Sequence, residues 1–148
     1  MPMLAAALAL PIALGAAEPP PARPPEPTAV TNPLLAPWTG PYGGVPPFDA
    51  VRVPLFQPAL EAAMAEQLAA VERIAADPAP PTFENVLAAL ERSGRALERV
   101  GAVYGVWAST MSTPEFQAVE REMEPKLAAF RDRITQNERL FARIAAVY

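Results

Sequence analysis

The chain has 148 residues with no cysteine and no histidine, enough for one domain or part of a larger one. Those two absences exclude a disulfide framework, thiolate chemistry, an H-E-x-x-H zinc helix, a Ser-His-Asp triad and an imidazole base. A formal charge of −4 supplies no basic stripe, so no nucleic-acid partner is expected.

The 20 prolines are unevenly spread and divide the chain. Residues 3–17, MLAAALALPIALGAA, are apolar and uncharged. The run is shorter than the roughly 20 residues of a membrane-spanning helix. It ends in Gly15-Ala16-Ala17, which suits signal-peptidase cleavage before Glu18. Residues 1–17 are therefore expected to be a signal peptide, although no Lys or Arg precedes the apolar run. The product is then periplasmic or secreted, with no stable membrane anchor. Residues 18–31 begin EPPPARPPEP. Proline fixes φ and lacks the amide donor, so this stretch favours polyproline II and reads as a disordered spacer.

From Asn32 to Pro54 the apolar residues Leu34, Leu35, Trp38, Tyr42, Val45, Phe48, Val51 and Val53 are interleaved with Pro and Gly. That pattern predicts an extended arm laid over a surface. Gly43-Gly44 lacks the Lys-Ser/Thr of a phosphate loop and reads as a turn.

Four helices are predicted after the arm, at about 55–76, 82–111, 114–135 and 137–148, giving an all-α fold of antiparallel helices. In the first, Leu60, Met64, Leu68, Val71 and Ala75 form the apolar stripe, Pro58 is tolerable in the first turn, and Glu61, Glu66, Glu72 and Arg73 face water. Asp77-Pro78-Ala79-Pro80-Pro81 stops it, because a residue before proline is pushed out of the α region. Thr82 is placed to cap the second helix, with Glu84 at its positive end. Phe83, Leu87, Leu90, Gly94, Leu97, Gly101, Tyr104, Ala108 and Met111 fall on one side of that helix, widened by Val86, Val100 and Trp107. Gly94, Gly101 and Gly105 cost about 1 kcal/mol each relative to alanine and predict close approach by a neighbouring helix. Glu91 and Arg95 make an i,i+4 pair. Thr113-Pro114-Glu115 opens the third helix, with Phe116, Val119, Met123, Leu127, Phe130 and Ile134 on one face. Pro125 inside it is expected to kink or break it. Asn137 caps the last helix, where Leu140, Phe141, Ile144 and Val147 are apolar.

Few residues suggest chemistry. Glu120 and Glu124 lie one turn apart, but two carboxylates without histidine, beside Arg121, read as a solvated surface. Ser109, Ser112 and Thr113 have no base to activate them and read as helix-end residues. Met64, Met111 and Met123 stand at core spacings. Trp38 and Tyr42 either stack on a ligand or pack the arm down. No catalytic, cofactor-binding or metal-ligating residue is assigned.

The segments NPLLAPW, VPPFDAV, PALEAAM, DPAPPTFENVLAALERSG, REMEPKLAAFRD and NERLFARIAAVY, taken in order, resemble the N-terminal helical region of the peptidyl-dipeptidases (dipeptidyl carboxypeptidases). These are zinc metallopeptidases of the thimet-oligopeptidase family. The resemblance runs from about Asn32 to Tyr148 and is most specific from Pro80 to Gly94. The family carries an acidic residue and a histidine just before the first helix, where this chain has Val53-Pro54-Leu55. The resemblance implies helices that roof a channel for short unstructured peptides. It also implies a zinc site on an H-E-x-x-H helix far downstream, so none of its ligands can be carried onto this chain. No cofactor is then expected in this chain, with zinc in the full-length parent, and the main partner is the missing catalytic region of the same polypeptide. The alternative is a free-standing helical module that binds peptide or protein without catalysis. The ending at Tyr148, with no glycine or polar tail, leads to the expectation of C-terminal truncation.

Overall fold

The computed structural model describes residues 32–41 and 44–148. The expected signal peptide, the proline-rich spacer, Tyr42 and Gly43 lie outside them. Among the described residues the fold is all-α, without a sheet. An arm and a short 3-10 turn, Val53–Leu55, lead into α1 (Phe56–Ala76). A π-helical turn, Phe83–Ala88, runs into α2 (Ala89–Ser93) and then α3 (Arg95–Thr110). The last two helices are α4 (Pro114–Thr135) and α5 (Glu138–Ala145).

Each break follows from local chemistry. Asp77 leaves the helix at ψ 121°, as a residue before proline must, and its carboxylate accepts from the Ala79 amide at 2.9 Å. Thr82 then makes a capping box: its hydroxyl accepts from the Asn85 amide at 3.1 Å, and the Asn85 side chain accepts from the Thr82 amide at 2.7 Å. Thr113 and Asn137 cap α4 and α5 in the same manner, accepting from the amides of Phe116 and Leu140.

α1 is the centre of the bundle and touches all four other helices. Its amino end meets the carboxyl end of α3, where Phe56 packs edge-on against Tyr104 and Trp107. Further along, Gln67 lies against Gly94, so α1 and α3 are antiparallel. On its other flank three polar pairs keep one register: Gln57 with Glu122, Glu61 with Lys126, and Glu72 with Asn137. A constant offset of 65 residues, carried past the end of α4 by Asn137, means that α1 and α4 run parallel, both opposite in direction to α3. Phe56, Phe116, Met123, Val100 and Leu34 lie in the main core. A second cluster of Val71, Ile74, Val86 and Leu140 closes the other end.

The arm is tied down at its start. The Asn32 amide group donates to the Leu55 carbonyl at 2.8 Å, Leu34 is buried, and Arg99 donates to the Leu35 carbonyl at 3.4 Å. Gly44 has φ +102°, and a Cβ there would stand 2.6 Å from Trp38. Only glycine fits that turn.

Several expectations are corrected. The helix expected over 82–111 is divided by the π turn and by Gly94, which sits at ψ −10°. Wider i→i+5 winding changes the register of side chains. The buried face accordingly runs through Val86, Ala96, Val100, Val103 and Trp107, while Phe83 and Met111, placed on the stripe by spacing, are 65% and 50% exposed. Of the three glycines, only Gly94 is closely approached. Among the described residues a Cβ on Gly101 or Gly105 would meet nothing within 4 Å. The ion pair on this stretch joins Arg92 to Glu84 at 2.7 Å, in place of Glu91 with Arg95. α4 is unbroken at Pro125. The residue is exposed there, and of the expected kink or break it is the break that does not occur. α5 stops at Ala145, short of Tyr148, and Phe141 is 68% exposed.

Candidate functional site

The residues that drew attention in the sequence do not converge. Glu120 is partly exposed and Glu124 exposed. Their charges, after the larger effect of burial, push the Tyr104 hydroxyl above its ordinary value of 10.0. Ser109 donates to the carbonyls of Gly105 and Val106, and Ser112 accepts from Gln117. Thr113 is a cap. Met64 and Met123 are core residues, whereas Met111 is not. Trp38, half-buried, packs against the main core, and among the described residues its indole N–H has no hydrogen-bond partner.

A zinc ion does not fit the donors of this chain. Its borderline-soft chemistry asks for imidazole or thiolate alongside carboxylate, and the sequence has neither histidine nor cysteine. Among the described residues no three acidic groups gather to hold a metal ion. The best-defined ion-paired group is structural. Lys126 donates to Glu61 at 2.6 Å and to Glu122 at 2.9 Å. The Lys126 bond, seconded by Gln57, holds the Glu61 carboxyl below 4.5. The same bonds to Glu61 and Glu122 hold the Lys126 ammonium above 10.5.

The feature with functional character is an open apolar cleft of about 620 Å³ between the arm and the carboxyl end of α3, reaching the start of α4. Phe48 and Val53 form one wall and Val106, Trp107 and Met111 the other. Phe48 stacks on Trp107 with ring centroids 6.0 Å apart. Arg52, on the rim, is turned back and donates to the carbonyls of Asp49 and Val51. Spacing alone could not bring Phe48 to Trp107. The one sequence signal was the density of aromatic and branched residues in a proline-rich arm.

Among the described residues the fold defines a helical module with an open apolar cleft. No protein-family model matches the chain. It is 36% identical to the dipeptidyl carboxypeptidase of Salmonella typhimurium over 118 residues, 80% of this chain and 17% of that protein. It is 34% identical to the dipeptidyl carboxypeptidase of Escherichia coli over 117 residues. The oligopeptidase A of Salmonella typhimurium is 30% identical over 112 residues, or 16% of its length. The chain is thus related to the peptidases of the thimet-oligopeptidase family and matches an N-terminal fragment of them. It spans about 17% of the length of the dipeptidyl carboxypeptidases. These likenesses support a peptidase-related function. Among the described residues no helix is long and apolar enough to cross a membrane.

Proposed function

We propose that this chain is the N-terminal substrate-channel portion, or roof, of a zinc metallopeptidase resembling the peptidyl-dipeptidases, enzymes that release dipeptides from the C-terminus of short unstructured peptides. The observation that carries the proposal is the match over 80% of this chain to 17% of a dipeptidyl carboxypeptidase. The catalytic parts lie in the remainder. There a zinc-bound water would be the nucleophile and a glutamate its base. This chain, without a zinc ligand set, is inactive by itself. Its apolar run at 3–17 fits export to the periplasm or beyond.

Packing supports the same reading. A small domain has little interior for its surface. Here Phe48, Val106 and Met111 are exposed and line one apolar cleft, a contiguous patch of the kind that marks an interaction site. The test is to sequence the gene beyond the codon for Tyr148. A continuing frame that encodes H-E-x-x-H is the expected result. A stop codon at that point sinks the proposal and leaves the free-standing helical binding module in its place.

A further inference from the structure

The second half of α3 has a composition that this chain does not explain. From Gly101 to Met111 no residue is charged, yet Ala102, Gly105, Val106, Ser109 and Met111 are exposed. Other helices dress their outer faces differently: α1 shows Glu66, Glu72 and Arg73, and α4 shows Arg121, Arg131 and Asp132. A surface helix carries charge opposite its apolar stripe, whereas a helix apolar all round is buried all round.

Two further observations fall on the same face. Gly101 and Gly105 each weaken a helix by about 1 kcal/mol relative to alanine, and no atom of the described residues comes close enough to require their size. Spaced by one turn, they make a shallow groove that suits a ridge of a second helix. Val106 and Met111 then continue that face into the cleft opposite Phe48. With Arg52 turned back onto the arm, that wall offers an incoming segment little positive charge.

We propose that the outer face of α3 around Gly101, Gly105, Val106 and Met111, with the cleft shared with Phe48, seats an apolar helix from the remaining part of the same polypeptide. This deepens the proposed function and rests on it. The occupant is assigned to that remainder because the related peptidases extend far beyond the 17% of their length matched here. The glycines set the distance of closest approach, and the cleft takes the large side chains of the incoming helix.

The absence of cysteine makes thiol labelling a clean test. Ser109→Cys and Ala102→Cys report on this face, and Arg131→Cys is the control on the charged face of α4. Each is placed in the isolated chain and in a chimera in which residues 32–148 replace the matching segment of the Salmonella dipeptidyl carboxypeptidase. All three positions should react with maleimide at similar rates in the isolated chain. In the chimera, labelling at 102 and 109 should slow by about tenfold or more while 131 is unchanged, as burial of a local site requires. Unchanged labelling at both 102 and 109 in the chimera overturns the inference. So does protection in the isolated chain together with a doubled mass by light scattering, since a second copy is then the occupant. Dipeptide release by the chimera is read separately. Protection at 102 and 109 without dipeptide release would refute the peptidase role and leave the docking face standing.

Discussion

Phe56 is the residue on which the three long helices converge, and its truncation is the sharpest test of the packing. It is 0% exposed. Tyr104, Trp107 and Phe116 approach it edge-on, with centroids at 5.7, 5.3 and 5.3 Å. Phe→Ala in such a core costs about 3–5 kcal/mol, the lost transfer energy plus the cavity. Each aromatic pair adds about 0.5–1.5 kcal/mol beyond its area. Measured truncations already contain such ring contacts, so Phe56→Ala should remove about 5 kcal/mol, the upper end of that range and a large share of the roughly 5–15 kcal/mol that holds a domain together. Phe56→Leu keeps most of the volume and should cost about 1–2 kcal/mol, so it remains foldable if the alanine variant does not. The assay is urea unfolding followed by far-ultraviolet circular dichroism, with Phe141→Ala as control. Phe141 is 68% exposed, and its loss should stay within about 0.5 kcal/mol. A cycle of Phe56→Leu with Phe116→Leu should give a coupling of about 0.5–1.5 kcal/mol. A Phe56→Leu variant no less stable than Phe141→Ala, with zero coupling to Phe116, would refute the three-helix junction.

Other variants probe features outside that junction. Thr82→Ala removes half of the capping box with Asn85 and should cost about 1 kcal/mol; an unchanged urea midpoint would contradict it. Gly101→Ala and Gly105→Ala, with open space at both positions, should each stabilise the isolated chain by about 0.4–1 kcal/mol. Gly94→Ala should gain less, since its Cβ would press on the Gln67 amide at 3.2 Å; equal gains at all three would argue against that contact. Lys126→Ala tests the ladder between α1 and α4 through its pH dependence. Glu61 has a lowered folded pKa, so its contribution is present above pH 4.5 and is lost as pH falls through the lowered value. Lys126 has a raised one, so its contribution is present below pH 10.5 and is lost as pH rises through the raised value. The melting temperature of Lys126→Ala should fall short of the parent's most at neutral pH and converge with it in acid and in strong base. A deficit independent of pH would refute the ion-pair origin.

Helix existence and helix starts were legible because they rest on neighbours in sequence. Thr82, Thr113 and Asn137 cap what they precede, and the proline run at 78–81 stops α1 without help from distant residues. The face of α4 was legible too, since Phe116, Met123 and Phe130 keep one period along an unbroken helix. The face of α3 was not. Its period is reset by the π turn and at Gly94, and a change of hydrogen-bond pattern leaves no mark in hydrophobic spacing. Ala59 and Ala63, both 0% exposed, carry too little hydrophobicity to announce a stripe, yet they let α1 sit close to its neighbours. Arg143, which reaches back to the carbonyls of Asp77 and Ala79, could only be placed by the fold. The absence of histidine and cysteine needed no fold at all, since it is composition. The cleft needed the fold entirely.

The two sides of α1 differ in a way that gives the module a direction. On the α4 side, Gln57, Glu61, Glu122 and Lys126 satisfy one another across the seam while remaining partly solvated. A partner that covered them would have to strip water from several charges, a cost that interface contacts seldom recover. On the α3 side the outer positions from Gly101 to Met111 are uncharged, and covering them removes apolar surface from water at about 25 cal/mol per Å². Desolvation thus opposes docking over the polar ladder and favours it over α3. The same contrast accounts for the glycines: a helix face finished for solvent gains nothing from Gly101 and Gly105, whereas a face that receives another backbone does.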